Sequence, residues 1–334
     1  MLFDDMGIVL IGRNEGDRLR RCLESVIDQV PYIVYVDSDS TDGSLELAKG
    51  YDVDVIELDK SKPFASPRSR NAGFFHLVET YPEIKYVQFV DGDCVLDRDW
   101  LAKARDTLDR SPDVAVVCGR RREMFPKASI YNQIFDVEWD TPIGEAKSCG
   151  GDALMRPEAI VQVNGYNPTL IGGGEPEMCV RLRQRGWKIL RIDAEMTLHD
   201  ADTHEFGRWW RRIRRCGHAY AEGAWLHGAP PEYHWVKQTL SNWFWGLCFP
   251  AFVLLTAWPT HGWSLLLLLG YGLLIFRAFL RERRRLSNRL ALTYSAFCVL
   301  TKFPMMMGQA QFMWNKLRGR KTRLVEYKRF AQVK

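Results

Sequence analysis

The stretch YVQFVDGDC (residues 86–94) decides how the first half of this 334-residue chain folds. Its opening residues are mostly valine, tyrosine and phenylalanine, which favour a buried strand. The strand ends in Asp91 and Asp93, on either side of a glycine. Two ionised carboxylates cannot be buried without a counter-charge, because an unpaired charge in a low-dielectric site is very costly. The two aspartates therefore face water in a turn, or they share a cation.

Short apolar runs alternate with amphipathic, helix-length segments around this stretch. The predicted strands cover residues 7–12, 32–36, 52–58, 86–90 and 114–119, and the predicted helices lie near 17–29, 42–50, 67–80 and 97–110. Such alternation predicts an α/β fold with a mostly parallel sheet and helices on both faces. In such sheets the ligand lies at the carboxyl ends of the strands. The polar runs GRNEGD, DSDSTDGS and DGDC follow three of the strands, so we expect the site there.

The overall composition indicates which kinds of binding partner and which cell compartment are expected for this protein. The net charge of +5 is modest and does not suggest nucleic acid as a partner. Eight scattered cysteines without a CxxC pair indicate reduced cytosolic thiols rather than a disulfide framework or a zinc site. The first residues, MLFDDMGIVLIG, lack the basic and long apolar regions of a signal peptide, so we expect a first strand there.

The composition changes after Pro230, where two uncharged apolar stretches occupy residues 243–258 and 263–276. Each is shorter than the roughly 20 residues that a membrane span needs, but extension to 236–280 reaches that length. Tryptophans lie where interfacial belts would put them: Trp243, Trp245, Trp258 and Trp263. We expect a transmembrane hairpin over 236–280, with a buried soluble hairpin as the alternative.

Basic residues give this hairpin an orientation. Residues 277–289 contain six arginines and one glutamate, and the tail 316–334 is also strongly basic. By the positive-inside rule both segments are cytoplasmic. Residues 291–314 lie between them, so we expect an interfacial or re-entrant element there, with a third span as the alternative. We therefore expect a multi-pass protein of the inner (plasma) membrane whose N-terminal domain is cytoplasmic.

Four parts of the chain are predicted on these grounds. They are an α/β domain (1–205), a basic and aromatic interfacial helix with a linker (206–235), the hairpin (236–280), and a basic loop, interfacial or re-entrant helix and cytoplasmic tail (281–334).

Acidic residues at the ends of two predicted strands suggest nucleotide and metal chemistry. An Asp-x-Asp pair such as Asp91 and Asp93 suits a hard divalent cation, Mg²⁺ or Mn²⁺, which prefers oxygen ligands. DSDSTDGS (37–44) follows another strand, and Asp37 and Asp39 there are able to accept hydrogen bonds from a base or ribose. A solvated turn is the alternative explanation for each motif.

Two further motifs supply a cation and a base. PRSRNAGF (67–74) offers Arg70 to a phosphate group, unless it is only a solvated helix start. GGGEPEM (172–178) opens a predicted helix with Glu175 and Glu177, either of which could deprotonate an acceptor hydroxyl. Ordinary helix capping is the alternative there, since a helix N-terminus favours negative charge.

Five motifs in order strongly resemble the family 2 inverting glycosyltransferases of GT-A fold: GRNEGDRLRRCLESV, YVDSDSTDGS, PRSRNAGF, FVDGDC and GGGEPEMCVRLRQRGWKI. The resemblance covers about residues 7–200. It implies transfer of a sugar from a nucleoside diphosphate sugar with inversion at the anomeric carbon. The residues that it implies are Asn14 and Glu15 at the nucleotide pocket, Asp39 at the nucleobase or ribose, Arg70 near the diphosphate, and Asp91 and Asp93 at the metal.

The catalytic base is also implied by this resemblance. The family motif often has the sequence Gly-Glu-Asp with the last acid as base, and Glu175 matches that acid, with Gly174 where the family often has Glu. Glu177 is the second choice, and His199 in TLHD resembles a further metal ligand of some GT-A enzymes. The metal would neutralise the leaving diphosphate while Glu175 takes the acceptor proton. A helix N-terminus would make Glu175 a weaker base than burial would, so we expect acceptor-induced desolvation to compensate.

Residues 204–223 mix arginines with tryptophans and suit neither the sheet nor a span. An interfacial helix on anionic headgroups would have this composition, as would a clamp on the diphosphate of a lipid-linked acceptor or of the donor. A solvated basic helix is the alternative. The residues predicted to contact acceptor, diphosphate or headgroups are Asp152, Trp209, Trp210, Arg211, Arg212 and Arg215.

The sequence thus predicts a metal-dependent, membrane-associated glycosyltransferase with a lipid-linked acceptor, a polyprenyl-phosphate or polyprenyl-diphosphate sugar or a glycolipid, in cell-surface polysaccharide or glycolipid synthesis. A sugar-phosphate nucleotidyltransferase would need a different loop after the first strand, which GRNEGD matches poorly. A processive polysaccharide synthase would need more spans and a Gln-x-x-Arg-Trp motif. A non-catalytic membrane scaffold is the remaining alternative, against which Asp91, Asp93 and Glu175 argue.

Overall fold

The computed structural model describes residues 3–320. Within this range the chain divides between His204 and Glu205 into an α/β unit and a helical unit. Part of the predicted basic tail, residues 321–334, lies outside the described residues.

Nine strands of the α/β unit form one mixed sheet within residues 3–320. They are β1 (Met6–Gly12), β2 (Tyr32–Asp37), β3 (Asp54–Glu57), β4 (Tyr86–Asp91), β5 (Cys94–Leu96), β6 (Val114–Glu123), β7 (Gly144–Glu145), β8 (Ala153–Met155) and β9 (Lys188–His199). The strand order is β3-β2-β1-β4-β8-β6-β9-β5, with β7 paired to β9. The first four strands in this order are parallel, as are β6 and β9, whereas β8, β5 and β7 pair antiparallel with their neighbours. The α/β fold with a mostly parallel sheet that the sequence predicts is confirmed.

Strand β4 lies inside the sheet, between β1 and β8. Val87 and Phe89 are fully buried, as expected for a strand with neighbours on both sides. Gln88 is the polar exception, and it is satisfied because its side-chain oxygen accepts a hydrogen bond from Trp100 Nε1 at 2.7 Å. The stretch that predicted a buried strand is therefore buried up to the point where Asp91 begins the polar loop.

Seven helices of the α/β unit connect or cover these strands in the described range: α1 (Asp17–Val26), α2 (Ser44–Lys49), α3 (Ser66–Thr80), α4 (Trp100–Arg110), α5 (Ile130–Glu138), α6 (Pro157–Gln162) and α7 (Gly174–Gln184). Helix α3 lies very close to the sheet, because a Cβ at Gly73 would be only 2.5 Å from Val9 Cγ1 and 3.0 Å from Val36 Cγ2. A Cβ at Gly174 would overlap the Pro67 ring in the same way. These two glycines let α3 approach β1 and let α7 begin directly against α3.

The helical unit contains α8 (Phe206–His227), α9 (Val236–Trp243), α10 (Phe249–Ala257), α11 (Leu269–Glu282), α12 (Asn288–Leu300) and α13 (Lys302–Leu317). A π-helical turn at Phe244–Cys248 joins α9 to α10, and a 3₁₀ segment at Trp263–Leu268 precedes α11. Three continuous helical stretches result that are long and apolar enough to cross a membrane: Val236–Ala257, Trp263–Glu282 and Asn288–Leu317.

These three stretches can be compared with the predicted hairpin over 236–280 and with the following segment, 291–314. The first two stretches, of 22 and 20 residues, coincide with the predicted hairpin. The third is 30 residues long and includes the segment for which the sequence predicted an interfacial or re-entrant element. By length and composition it qualifies as a span, which is the alternative that the sequence left open. Several apolar side chains on these helices are more than 70% exposed, as lipid-facing residues would be: Leu255, Trp258, Trp263 and Leu269.

Helices α8 and α13 cross with almost no space between their backbones. A Cβ at Gly308 would overlap the Arg214 carbonyl oxygen and would lie 2.7 Å from the His218 amide nitrogen. A Cβ at Gly217 would overlap the Met305 carbonyl oxygen. Small residues at such crossings let helices approach closely without a side chain between them. The basic helix α8 is therefore packed on an apolar helix of its own unit.

We predict that Gly308→Ala lowers the stability of the helical unit, because the added methyl group must push apart two backbones. Overpacking of this kind costs about 1–3 kcal/mol. Gly272→Ala in α11 is the matched control, since a Cβ at Gly272 would meet no atom within 4 Å and alanine is the better helix former by about 1 kcal/mol. Thermal unfolding in detergent micelles should show a lower Tm for Gly308→Ala and an equal or higher Tm for Gly272→Ala. Equal shifts for both variants would contradict the close crossing.

Candidate active site

The predicted donor-site residues gather at one edge of the sheet because three parallel strands end together. Ile11 of β1 pairs with Asp91 of β4, and Gly12 of β1 pairs with Asp37 of β2. The loops after these strands therefore start side by side. This agrees with the topological rule by which the sequence located the site.

Hydrogen bonds between side chains and backbone amides connect the loop after β1 to the loop after β2. The Asn14 amide donates to Ser40 Oγ at 2.9 Å, and Asn14 Oδ1 accepts from the Thr41 amide at 2.7 Å. Asn14 and Asp39 have φ angles of 55° and 65°, a left-handed region that asparagine and aspartate tolerate better than most residues. Both residues thus help to fix the conformation of these two loops.

Among the acidic residues of these loops, Asp37 and Glu15 are buried and Asp39 is more open. Asp37 accepts from Tyr35 Oη at 3.0 Å and from the Ser40 amide at 2.8 Å. Burial, together with the Asp37 charge, raises the pKa of Tyr35 far above its ordinary value, so this tyrosine remains a donor. Glu15 lies 3.0 Å from Arg18. Asp39 instead pairs with the exposed Lys60 at 2.6 Å, an ion pair that a ligand is able to displace.

Asp91 is held by two arginines and does not stand free. Arg70 Nη2 lies 2.5 Å from Asp91 Oδ1, and Arg121 Nη2 lies 3.9 Å from Asp91 Oδ2. Arg121 also lies 2.7 Å from Asp152 Oδ2. The counter-charge that this aspartate requires is therefore already provided by the protein itself, through Arg70 on α3 and Arg121 on β6.

Asp152 anchors this network from below the surface. It has no exposed area, and it accepts hydrogen bonds from the Asp91 amide at 3.0 Å and from Thr197 Oγ1 at 2.9 Å in addition to the Arg121 pair. Burial alone would lower the pKa of Arg121, but Asp152 and Asp91 raise it, so this guanidinium is permanently charged. The prediction that Asp152 contacts an acceptor or a headgroup is corrected by its burial: it positions Arg121 and the backbone of Asp91.

Gly151 lets these charges approach one another. A Cβ at this position would lie 2.7 Å from Asp91 Oδ2, 2.9 Å from Arg121 Nη2 and 3.0 Å from Arg70 Nη2. A side chain would therefore enter the centre of the ion-pair network. Of the run CGGD (149–152) only Asp152 was identified from the sequence, although two adjacent glycines before a short strand signal a close backbone approach.

Asp93 and His199 form a second, buried group beside the first. His199 Nε2 lies 3.5 Å from Asp93 Oδ1, and Cys94 offers its sulfur to the same group, with all ligand atoms within 4.8 Å of one another. The Trp139 ring packs edge-on against the His199 ring, with centroids 4.7 Å apart. The pairing of β5 with β9 places Cys94 opposite His199, which brings together residues about 100 positions apart in the chain.

Glu175 lies at the N-terminus of α7 and is 7% exposed. Its Oε1 accepts from the Cys149 amide at 2.6 Å, from Cys149 Sγ at 3.0 Å and from Cys179 Sγ at 3.1 Å. Burial raises the pKa of Glu175 above its ordinary value, and the donors from Cys149 and Cys179 and the charge of Arg70 only partly offset this. Burial, which the sequence does not report, therefore acts on Glu175 against the acidifying effect expected at a helix N-terminus.

Glu177 has a different environment one half-turn further along α7. It makes a bidentate ion pair with Arg181 at 2.9 and 2.8 Å, and Arg181 also donates to the carbonyl oxygens of Val163 and Gly165. This pair joins α7 to the turn after α6. Glu177 is thus committed to a structural contact, whereas no cation forms an ion pair with Glu175 in the described part of the chain.

The residues predicted to contact headgroups on α8 differ in exposure. Trp209 is fully buried and packs edge-on against Phe297 of α12 with centroids 5.0 Å apart. Its predicted role at the lipid or acceptor surface is therefore corrected to packing within the helical unit. The remaining members of that set reach the surface to different extents: Arg211 is exposed, and Trp210, Arg212 and Arg215 are half-buried.

Comparisons with known proteins bear on the fold of the chain. Residues 8–147 match the family model described as Glycosyl transferase family 2. No curated protein matches the sequence. Among solved structures, the chain is similar to a mannosyltransferase from Pyrobaculum calidifontis in complex with GDP-Man and Mn²⁺, with 14% identity and a TM-score of 0.60 over 93% of this chain and 88% of that chain. The α/β unit therefore has a GT-A-like fold, as predicted.

We predict that Asp152→Asn strongly destabilises the α/β unit, because it leaves Arg121 buried with a single, more distant carboxylate. Removing one partner of a buried ion pair costs about 3–5 kcal/mol. Glu195→Gln is the matched control: Glu195 also makes a bidentate pair, with Arg122 at 2.6 Å, but both side chains are nearly half exposed. Exposed pairs contribute at most about 1 kcal/mol. Urea unfolding of the two variants should separate them, and equal losses would contradict the anchoring role of Asp152.

Proposed function

We propose that the α/β unit is an inverting glycosyltransferase that transfers a hexosyl group from a nucleoside diphosphate sugar to a hydroxyl group of a lipid-linked acceptor. The family match over residues 8–147 and the GT-A-like fold support a glycosyltransferase. The similar mannosyltransferase binds GDP-Man and Mn²⁺. This supports a nucleotide-sugar donor and a divalent metal for the present chain as well.

The observation that carries this proposal is a loop that lies against two different carboxylates. The Cys149 amide donates to Glu175 at 2.6 Å, and a Cβ at Gly151, two residues later, would lie 2.7 Å from Asp91 Oδ2 and 3.0 Å from Arg70 Nη2, so both acids border the same small region. Asp91 is neutralised by arginines, whereas Glu175 is buried with a raised pKa. One edge of the sheet thus combines a cationic environment suited to a diphosphate with a carboxylate suited to remove a proton.

In the proposed reaction an acceptor hydroxyl attacks the anomeric carbon from the face opposite the nucleoside diphosphate. The new C–O bond forms as the bond to the diphosphate oxygen breaks, which inverts the anomeric centre. Glu175 accepts the hydroxyl proton, and its raised pKa brings its basicity closer to that useful near neutral pH. Arg70 offers charge-assisted hydrogen bonds to the departing diphosphate if that group displaces Asp91 from it.

The residues next to Asp91 suit a divalent metal. A buried carboxylate, Asp93, lies beside a buried imidazole, His199, and oxygen with nitrogen ligands is a set that Mn²⁺ accepts. When bound, such an ion supplies positive charge to the diphosphate oxygens. We infer that Asp93 and His199 are the principal ligands, and that Asp91 contributes when the donor displaces Arg70 or Arg121. Whether the ion is Mn²⁺ or Mg²⁺, the carboxylate ligand is common to both.

The nucleoside would lie over the loops after β1 and β2. Asp39 has the more exposed carboxylate there, and its partner Lys60 is itself largely exposed. Asp39 is therefore our candidate for a hydrogen bond to the nucleobase or ribose. Asp37, Asn14 and Glu15 support it from behind through the hydrogen bonds that join the two loops.

A lipid-linked acceptor is proposed from the helical unit of the same chain. Its three apolar helical stretches are each long enough to cross a bilayer, and Arg211 and its neighbours on α8 suit anionic headgroups or a lipid diphosphate. The basic segment 277–289, which includes the end of α11 and the turn before α12, supports a cytoplasmic location of this segment and of the α/β unit at the inner membrane. A polyprenyl-phosphate or polyprenyl-diphosphate sugar, or a glycolipid, fits these requirements.

We predict that full-length protein in detergent, incubated with membrane lipid extract and a panel of UDP-, GDP- and TDP-sugars plus Mn²⁺ or Mg²⁺, turns over one donor. Glu175→Gln should lower kcat by about 10²–10⁴-fold, the usual contribution of a general base, and should leave the Kd for the nucleoside diphosphate unchanged. Isothermal titration and a radiolabelled transfer assay measure the two quantities.

Glu177→Gln is the comparison that separates the two candidate bases. Because Glu177 pairs with Arg181, this variant should lower Tm while its folded fraction retains turnover. Full activity in Glu175→Gln, or the absence of turnover with every donor, would refute the proposed function.

We also predict that Asp93→Asn and His199→Gln each weaken Mn²⁺ binding by about tenfold or more, as loss of a ligand should exceed the typical effect of an outer-shell partner. Electron paramagnetic resonance of Mn²⁺ titrated into protein with nucleoside diphosphate measures this. His204→Gln is the control, since His204 is exposed and pairs with Asp202. Turnover that persists in EDTA would contradict the metal-dependent proposal.

A further inference from the structure

The environment of Glu175 contains two thiols whose role the proposed reaction does not explain. Cys149 and Cys179 are both buried, and their sulfur atoms lie 3.9 Å apart. Both sulfurs lie within 3.1 Å of the same carboxylate oxygen, Glu175 Oε1. The backbone amide of Cys149 also donates to this oxygen, at 2.6 Å. Three donors thus converge on one oxygen of the side chain.

The other carboxylate oxygen, Glu175 Oε2, differs from Oε1 in its hydrogen bonding. Within residues 3–320, the hydrogen bonds to this carboxylate end on Oε1 and none ends on Oε2. A carboxylate accepts through both oxygens, so saturation of one oxygen leaves the acceptor capacity of the group on the other. An incoming hydroxyl group would therefore find Oε2 available.

The protonation state of the thiols decides what they do here. Burial raises the pKa of the Cys149 thiol well above its usual value, so the thiol is protonated at neutral pH. A protonated thiol donates a hydrogen bond, whereas a metal would require a thiolate. The three groups lie within 4.8 Å of one another, so a metal held by two thiolates and the carboxylate is the competing arrangement; as protonated thiols, both sulfurs donate to Glu175 Oε1.

We propose that Cys149 and Cys179 are positioning residues for Glu175: their thiols hold Oε1 and thereby direct Oε2 toward the acceptor hydroxyl. This inference rests on the proposed role of Glu175 as base. Cys179 lies one helical turn after Glu175 on α7, and Cys149 comes from the loop that also carries Gly151 and Asp152. The loop that supports the Asp91 network thus also supports the base.

The hydrogen bonds from the two thiols act to lower the pKa of Glu175. A hydrogen bond to the charged form of a carboxylate stabilises that form and lowers its pKa. The two thiols therefore keep the pKa of Glu175 from rising as far as burial alone would raise it. Without them the ionised base would be less abundant at a given pH, and the Cys149 amide would be the remaining donor to Oε1 among the described residues.

The test uses full-length protein in detergent with Cys149→Ala, Cys179→Ala and the double variant, together with Cys149→Ser and Cys179→Ser, which retain a donor. Cys118→Ala is the matched control, because Cys118 is a buried thiol on β6 that makes no hydrogen bond to Glu175 in the described structure. Labelling with a carbodiimide and glycine ethyl ester modifies protonated carboxyl groups, so mass spectrometry of the Glu175 peptide gives the pH midpoint of this residue without any substrate.

We expect the midpoint to rise by about one pH unit in the double alanine variant, since a hydrogen bond to a charged group is typically equivalent to that shift or slightly more. At a pH below the midpoint, kcat should fall about tenfold with little change in KM for the donor. The serine variants should return both quantities toward the native values, and Cys118→Ala should leave them unchanged.

Two results would overturn the inference. One is an unchanged midpoint and pH profile in the double alanine variant, and the other is bound zinc that is lost in both alanine variants, since the thiols would then be ligands. A midpoint that shifts as expected while Glu175→Gln remains active would instead refute Glu175 as base. The labelling and activity measurements therefore distinguish failure of this inference from failure of the proposed function.

Discussion

The contact between Asp152 and Arg121 is the interaction on which the polar centre of the α/β unit depends. A carboxylate without exposed surface is tolerable only because a guanidinium lies 2.7 Å away and because a hydroxyl and an amide donate to its oxygens. Arg121 in turn faces Asp91, and Asp91 is paired with Arg70. Positive and negative side chains thus alternate along this network, and their ion pairs join α3, β4, β6 and the loop before β8. The close approach of these groups requires a glycine at position 151.

The buried carboxylates of this unit differ in whether an arginine lies beside them. Asp152 and Glu177 each face an arginine at hydrogen-bonding distance, which stabilises their charged forms. Glu175 is buried to a similar degree, but its close partners are two neutral thiols and an amide. Hydrogen bonds from neutral groups offset desolvation less than an ion pair does, so the pKa of Glu175 remains raised. A buried acid with a raised pKa at the edge of a ligand site is the usual signature of a proton acceptor.

Two residues that were predicted to contact ligand or lipid are instead buried, and short sequence patterns do not show how deeply a side chain is buried. Asp152 and Trp209 were expected to contact the acceptor, its diphosphate or lipid headgroups, Trp209 because arginines and tryptophans alternate in residues 204–223. Asp152 is instead enclosed by β4, β6 and β9, and Trp209 by the helix that carries Phe297. In both cases the partner lies more than 25 residues away in the chain. No periodicity within a short window could have identified these contacts.

The roles of Asp93, His199 and Glu175 were implied by a family resemblance and stay proposals. The sequence by itself determined the alternation of strands and helices, the edge of the sheet where the polar strand ends meet, and the apolar helical stretches. Local hydrophobic periodicity and strand-end polarity carry that information, because they depend on neighbours a few residues apart. The tertiary structure alone decided that Arg70 pairs with Asp91, that Arg121 pairs with Asp152, and that Cys149 lies beside Glu175. These outcomes depend on which side chains the fold brings within about 3 Å across long separations, and on how much water it removes from them.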